Sequence, residues 1–258
     1  DFEVLLMLID IIEAVESLVA ALRFVSGYIE RIKLNRDDKY TELFFSTIAV
    51  KFADFNEPDL AFKYHSIAQE YGGSYVANYN LGHSCIRFGR FREALPYYAA
   101  RWNWPTFPSE QRIFSIPKLK ESELHTDLRI LIWAEQGIGD QVLWSQVIQI
   151  LVEQGYRNLT LEVHRKLVPL MAKSFPSVDV IAQPTYKKDF DSTNHKEFGS
   201  NYYDRHIPLV ELFLMINQSL DRFITVPPFL ATNEKWAQEL RRELEKIQPN
   251  KKIVGLHW

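Results

Sequence analysis

The stretch that most constrains this chain is Arg129–Ser145, RILIWAEQGIGDQVLWS. Its opening run, Ile130–Leu131–Ile132–Trp133, is short, apolar and rich in β-branched and aromatic residues, the pattern of a buried parallel strand. Gly137–Ile138–Gly139–Asp140 follows, and then Val142, Leu143, Val147, Ile148, Ile150 and Leu151 fall at helical spacing. Strand, glycine turn, helix is the opening unit of a doubly wound α/β domain, in which ligands bind outside the carboxyl ends of the strands.

The same alternation continues downstream. It predicts a helix over about 141–154, a strand at Leu159–Val163, a helix at about 165–174 and a strand at Val178–Ile181. Such repetition requires a parallel sheet with crossover connections. Residues 183–201 read as a long polar loop, Tyr202–Pro208 as another short strand and Leu209–Ile216 as a short helix. After Pro227–Pro228 comes a charged amphipathic helix over 234–247, with Trp236 read as its packing residue. Lys252–Trp258 looks like the first strand of a further domain.

Residues 1–101 read as all-helical. Leu5, Ile9, Ile12, Val15, Leu18 and Leu22 form a stripe at spacings of three and four, which Gly27 is expected to close. Four more helical patterns follow, through Phe52, Ala68, Ile86 and Ala99. Ala61, His65 and Ala68 precede Ala94, Tyr98 and Arg101 by a common period of 33 residues. Asn80–Leu81–Gly82, Gly89, Ala94 and Tyr98 resemble the tetratricopeptide repeat: Leu-Gly in a first helix, Gly in the turn, small and aromatic residues in the second. Two readings stand: a helical scaffold, or a groove that binds a protein or peptide partner. Pro105, Pro108 and Pro117 mark 102–127 as a linker, pinned by Trp102, Trp104 and Phe107.

Composition narrows the classes. The 258 residues are 47% hydrophobic with a net charge of −3, so no overall basic field points to nucleic acid. Asp10, Glu13 and Glu16 interrupt the apolar N-terminal stretch, so it reads as neither signal peptide nor membrane span. The single Cys85 allows no internal disulfide and no cysteine-based zinc cluster, which fits a cytoplasmic setting. His164 and His195 lack spaced partners, so no metal is expected. The missing initiator Met and the ending on a strand pattern suggest part of a longer protein.

Ile130–Asp140 with Gln141–Val142–Leu143 resembles the opening of the heptosyltransferase-like GT-B glycosyltransferases (glycosyltransferase family 9-like): an apolar strand, Gly-x-Gly-Asp, a helix. Leu159–Glu162, Leu167–Leu170 and Pro176–Ile181 continue the resemblance. The repeats ending in Tyr98-x-x-Arg101-Trp102, followed by Ala134–Asp140, are similar to bacterial tetratricopeptide-repeat proteins with a glycosyltransferase-like C-terminal region. His206, Pro208–Leu209 and Val254–Trp258 also fit that pattern. The resemblance covers about 78–258 and implies a helical repeat region (1–101), a linker (102–127), the Rossmann-like first half of GT-B (128–250) and the first strand of a second half (251–258).

The activity it implies is transfer of a sugar from a nucleotide-sugar donor to an acceptor hydroxyl, with no further cofactor. Asp140 matches the proposed catalytic base of that family; a carboxylate at the turn suits general base work. Asp140 is equally a favoured helix cap. Gly137 and Gly139 permit close backbone approach, and N–H groups at a helix start can meet phosphate or hydroxyl oxygens. Glu135 and Gln136 are candidates for acceptor hydroxyls or solvated loop residues. His206, near a sheet edge, is a candidate for the cleft or an ordinary loop histidine. The alternative function is a non-catalytic interaction module whose glycosyltransferase-like domain has lost activity. The third glycine of a dinucleotide fingerprint is absent, which disfavours a nicotinamide enzyme. On the GT-B reading the donor binds mainly to the second half, so purified 1–258 is expected to transfer no sugar. Turnover of a nucleotide sugar by this chain alone would overturn that reading.

Overall fold

In the computed structural model the described residues are 7–9, 11–12, 14, 16–29, 39–105, 107–109, 111–184, 202–217, 228–231 and 233–247. The expected strand at 251–258 and nearly all of the 183–201 loop lie outside them. In chain order the helices are α1 (Leu18–Ile29), α2 (Lys39–Asp54), α3 (Pro58–Glu70), α4 (Tyr75–Arg87), α5 (Phe91–Tyr98), α6 (Ile138–Trp144), α7 (Gln146–Glu153), α8 (Val168–Ser174), α9 (Leu209–Ile216) and α10 (Glu234–Ile247). The strands are β1 (Ile130–Trp133), β2 (Leu159–Val163), β3 (Asp179–Ala182) and β4 (Arg205–Pro208). Contacts divide them into a helical unit, within Asp1–Ile113 and resumed at Val210, and an α/β unit, within Phe114–Leu209 and resumed at Val226.

The helical unit is a set of helix hairpins around α2. Phe44, Phe45, Ile48, Ala49 and Phe52 are all buried, and the Tyr64 ring of α3 stacks on Phe52 at 5.1 Å and on Phe45 at 5.9 Å. α2 packs on α3 and α4, and α4 on α5. Pro58 opens α3, where its missing N–H is no loss. Ser74 caps α4 by accepting from the Ala77 N–H at 3.4 Å. The N-terminal stripe is not one helix. It breaks at Glu16–Ser17, where the Ser17 hydroxyl caps a new helix through the Ala20 N–H at 3.2 Å, and α1 runs past Gly27 to Ile29.

The 33-residue period has a packing counterpart. Ala49 and Gly82 are one period apart, as are His65 and Tyr98. All four are buried. At Gly82 the approach is closest: a Cβ there would lie 2.8 Å from the Tyr98 nitrogen and 3.0 Å from its Cα. His65 is 1% exposed and its Nε2 lies 2.8 Å from the Ser84 hydroxyl of α4.

The chain then turns through a 3₁₀ segment, Ala99–Asn103, that buries Arg101 completely. Its guanidinium donates to the Tyr98 carbonyl at 3.0 Å and to Glu211 Oε1 of α9 at 2.7 Å, and lies over the Trp102 and Tyr98 rings. Phe213 of α9 meets Phe91 edge-on at 5.2 Å. Trp104 and Phe107, expected to pin the segment, do so on Tyr79.

The α/β unit holds a four-stranded, wholly parallel sheet in the order β3-β2-β1-β4. Ile130 pairs with Leu159 on one side and Arg205 on the other. Every residue of β1 and β2 is buried, as strands covered on both faces require. The helix expected over 141–154 starts earlier, at Ile138, and breaks at Ser145, whose hydroxyl donates to the Val142 carbonyl at 2.9 Å. Residues 117–119, in the stretch read as a linker, extend the sheet. The His206 N–H donates to Pro117 O at 3.2 Å and the Leu119 N–H to His206 O at 2.9 Å, which covers the outer edge of β4.

α10 buries no residue, and Trp236 is 66% exposed rather than packed. Its pattern is amphipathic, but its apolar face is uncovered among the described residues. Among the described residues no helix is long and apolar enough to cross a membrane.

Two measurements test this packing. Gly82→Ala forces a methyl group against the α5 backbone and should destabilise the chain by about 1–3 kcal/mol in urea unfolding. Burial pushes His65 down to about 4. The folded state therefore resists a proton that the unfolded chain takes near 6.5. The stability His65 contributes is present above that value and is lost as pH falls towards 4, by about 2 kcal/mol at pH 5. His65→Gln should flatten the pH dependence of the urea midpoint between pH 7 and 5; an unchanged slope would show that His65 is not its source.

Candidate functional site

The order β3-β2-β1-β4 places β2 and β3 on one side of β1 and β4 on the other. The topological switch point is therefore between β1 and β4, and the crevice outside their carboxyl ends is where such sheets bind ligands. The residues delivered there from β1 are Ala134 to Asp140, the stretch singled out in the sequence.

Glu135 is buried, 5% exposed, and Gln136 half-buried. Gln136 has φ +64°, the left-handed region that a residue with a Cβ avoids. The two glycines have no such need. Gly137 has φ −74°, and a Cβ at Gly139 would meet nothing within 4 Å. Asp140 is half-buried, and its Oδ2 accepts the Gly137 N–H at 3.0 Å, closing the first turn of α6. Among the described residues its other oxygen makes no hydrogen bond. Asp140 thus caps, and one carboxylate oxygen remains for other work.

Two glutamines, absent from the sequence candidates, lock the carboxyl edge. Gln141 is 2% exposed; its Nε2 donates to the Gln136 carbonyl at 3.3 Å and its Oε1 accepts the His164 N–H at 2.8 Å. Gln183, following β3, donates from its backbone to Val163 O at 2.7 Å and from its side chain to Ala134 O. The turns after β1, β2 and β3 are thereby joined. In the sequence both residues look like solvated polar positions, since a glutamine carries no periodicity of its own.

His206 lies in the wall beneath this edge. It sits on β4 opposite Leu131 and is buried. The Trp133 indole N–H donates to its Nδ1 at 3.1 Å, and the Phe114 ring stacks on it at 4.0 Å. An indole nitrogen only donates, so Nδ1 carries no proton. Strand alternation puts Trp133, Thr160, Glu162 and His206 on this same face. Tyr203 hydrogen-bonds to Thr160, and burial raises its phenol. At the opposite, amino end of the sheet, Arg129 clamps Asp204 at 2.6 Å and holds its carboxyl down to about 2. Among the described residues no group of three or more His, Cys, Asp or Glu side chains could hold a metal ion.

The helical unit has a feature of its own. Val50, Ala53 and Asp54 of α2, with Asn80, His83, Ser84 and Arg87 of α4, line a groove of about 210 Å³. Arg87 and Asp54 pair across it at 3.2 Å, both largely exposed.

No family model and no solved structure matches the chain. Protein FlbA of Caulobacter vibrioides is 28% identical to it over 182 residues, which cover 67% of this chain. The chain spans 29% of the length of that relative.

Proposed function

We propose that the α/β unit is the acceptor-side half of a heptosyltransferase-like GT-B enzyme, and that the intact protein transfers a sugar from a nucleotide-sugar donor to an acceptor hydroxyl. The observation that carries this reading is an inversion of glycine use in the turn after β1. The one position with positive φ holds Gln136, whereas Gly139, where a Cβ would meet open space, is glycine. Folding alone favours the opposite choice, since glycine inside a helix costs about 1 kcal/mol relative to alanine. A ligand that lies against the Gly137–Gly139 backbone and hydrogen-bonds the Gln136 amide accounts for both departures.

In this reading the acceptor hydroxyl attacks the anomeric carbon while the bond from that carbon to the donor phosphate breaks, releasing the nucleotide. The hydroxyl proton passes to the Asp140 oxygen that the Gly137 N–H does not occupy. Glu135 and Gln136 orient the acceptor's other hydroxyls, and His206, fixed by Trp133 and Phe114, supports the floor. The groove between α2 and α4 supports the second reading, a tetratricopeptide-like surface for a protein or peptide partner. It is compatible with the first, since such a surface can bring the acceptor to the enzyme.

Two substitutions in the intact protein separate chemistry from capping. Asp140→Asn keeps an oxygen for the Gly137 N–H, so melting should stay near wild type, while loss of the base should lower the transfer rate by about 10²–10⁴. Gly139→Ala should leave stability unchanged or raise it by up to about 1 kcal/mol and still reduce transfer. Activity within a few-fold of wild type in both variants would remove the catalytic reading and leave the interaction module.

A further inference from the structure

We propose that Gln141 is the positioning residue of this site: it registers the Asp140 carboxylate to the exit of β2 through a single peptide group. The kinetic part rests on the glycosyl-transfer reading; the geometric part does not.

The peptide between Gln136 and Gly137 is gripped at both ends by adjacent side chains. Its carbonyl oxygen accepts the Gln141 Nε2–H at 3.3 Å, and its N–H donates to Asp140 Oδ2 at 3.0 Å. A peptide group is planar, with its oxygen and hydrogen on opposite sides, so fixing one end fixes the direction of the other. That plane is also one that the backbone would not hold unaided, because Gln136 is left-handed. The remaining end of the Gln141 amide accepts the backbone N–H of His164, the residue after β2. The linkage therefore runs from the β2 exit through Gln141 and one peptide plane to Asp140.

A buried primary amide must have both its donor and acceptor engaged, and at 2% exposure Gln141 meets that demand with two backbone groups on different turns. The helix alone does not place Asp140, since its oxygen bonds back to a residue that precedes the helix. If the Gln136 peptide rotates, the Gly137 N–H turns away and the carboxylate loses its fixed partner.

Two variants test the linkage. Gln141→Glu, at a pH where the carboxyl is ionised, keeps an acceptor for the His164 N–H but has no donor for the Gln136 carbonyl. Gln141→Met has similar length and loses both. By amide hydrogen exchange on the full chain, Gln141→Met should speed exchange at Gly137 and at His164 by at least tenfold, and Gln141→Glu at Gly137 alone. Unchanged exchange at Gly137 in both variants overturns the linkage. In the intact protein, assayed below the melting temperature that the buried carboxylate lowers, Gln141→Glu should reduce kcat about tenfold with the donor KM within twofold. Faster exchange with unchanged kcat overturns the positioning role. If Asp140→Asn retains activity, the glycosyl-transfer reading fails and the kinetic part falls with it; the exchange result still decides the linkage.

Discussion

β1 hydrogen-bonds to parallel partners on both sides, β2 and β4, and none of its four residues reaches solvent. Much of the α/β unit follows from that one arrangement. Parallel neighbours cannot be joined by tight turns, so each connection must carry the chain back across the sheet. The chain runs from β1 to β2 and β3 on one side and only then to β4 on the other, so no connection joins β1 directly to β4, and the backbone that departs from the carboxyl end of β1 borders the crevice between those two strands. The turn Gln136–Asp140 occupies that position; the Gln141 amide holds it to the exit of β2, and Gln183, after β3, holds Ala134 just before it. The arrangement at the edge is a rigid rim of backbone carbonyls and amides with carboxylates set into it.

In the helical unit the corresponding constraint is the burial of Arg101. A guanidinium with no exposed surface is tolerated only when its donors and its charge are met, and Glu211, Tyr98 O and the faces of Trp102 and Tyr98 meet them. The pair is weak as a source of net stability, because both charges are stripped of water. It is strong as a specification: no apolar helix could take the place of α9 without stranding a buried cation. Phe91 against Phe213 supplies the apolar contact beside it.

The sequence disclosed those features that repeat or alternate. The ILIW run bounded by a glycine turn gave β1, and the strand–helix alternation gave the parallel sheet, because burial on both faces leaves an unbroken apolar signature. The helices of the amino-terminal unit were legible from apolar stripes ended by glycines, and within one hairpin Gly82 lies close against the Tyr98 backbone. What periodicity does not carry is partnership. Arg101 closed a motif, but its partner lies 110 residues away. Gln141 stands beside the candidate base without a signal of its own, since burial of an amide depends on turns that only the fold brings together. Trp236 shows the same limit, since an amphipathic pattern states that a face is apolar without stating what covers it. The break at Glu16–Ser17 was hidden for the opposite reason: the apolar stripe continues across it in phase.

The helical unit is not contiguous in sequence, since it resumes at Val210 after the whole of β1 to β4. During synthesis, which proceeds from the N-terminus, α1 to α5 leave the ribosome long before the helix that completes them. At about 5–20 residues per second, the 110 residues between Arg101 and Glu211 take roughly 5–20 s to make. For that interval the nascent chain carries an arginine placed for burial whose counter-charge has not yet been translated, and a Phe91 ring without Phe213. The amino-terminal unit therefore begins first and is completed after the strands that interrupt it have been made.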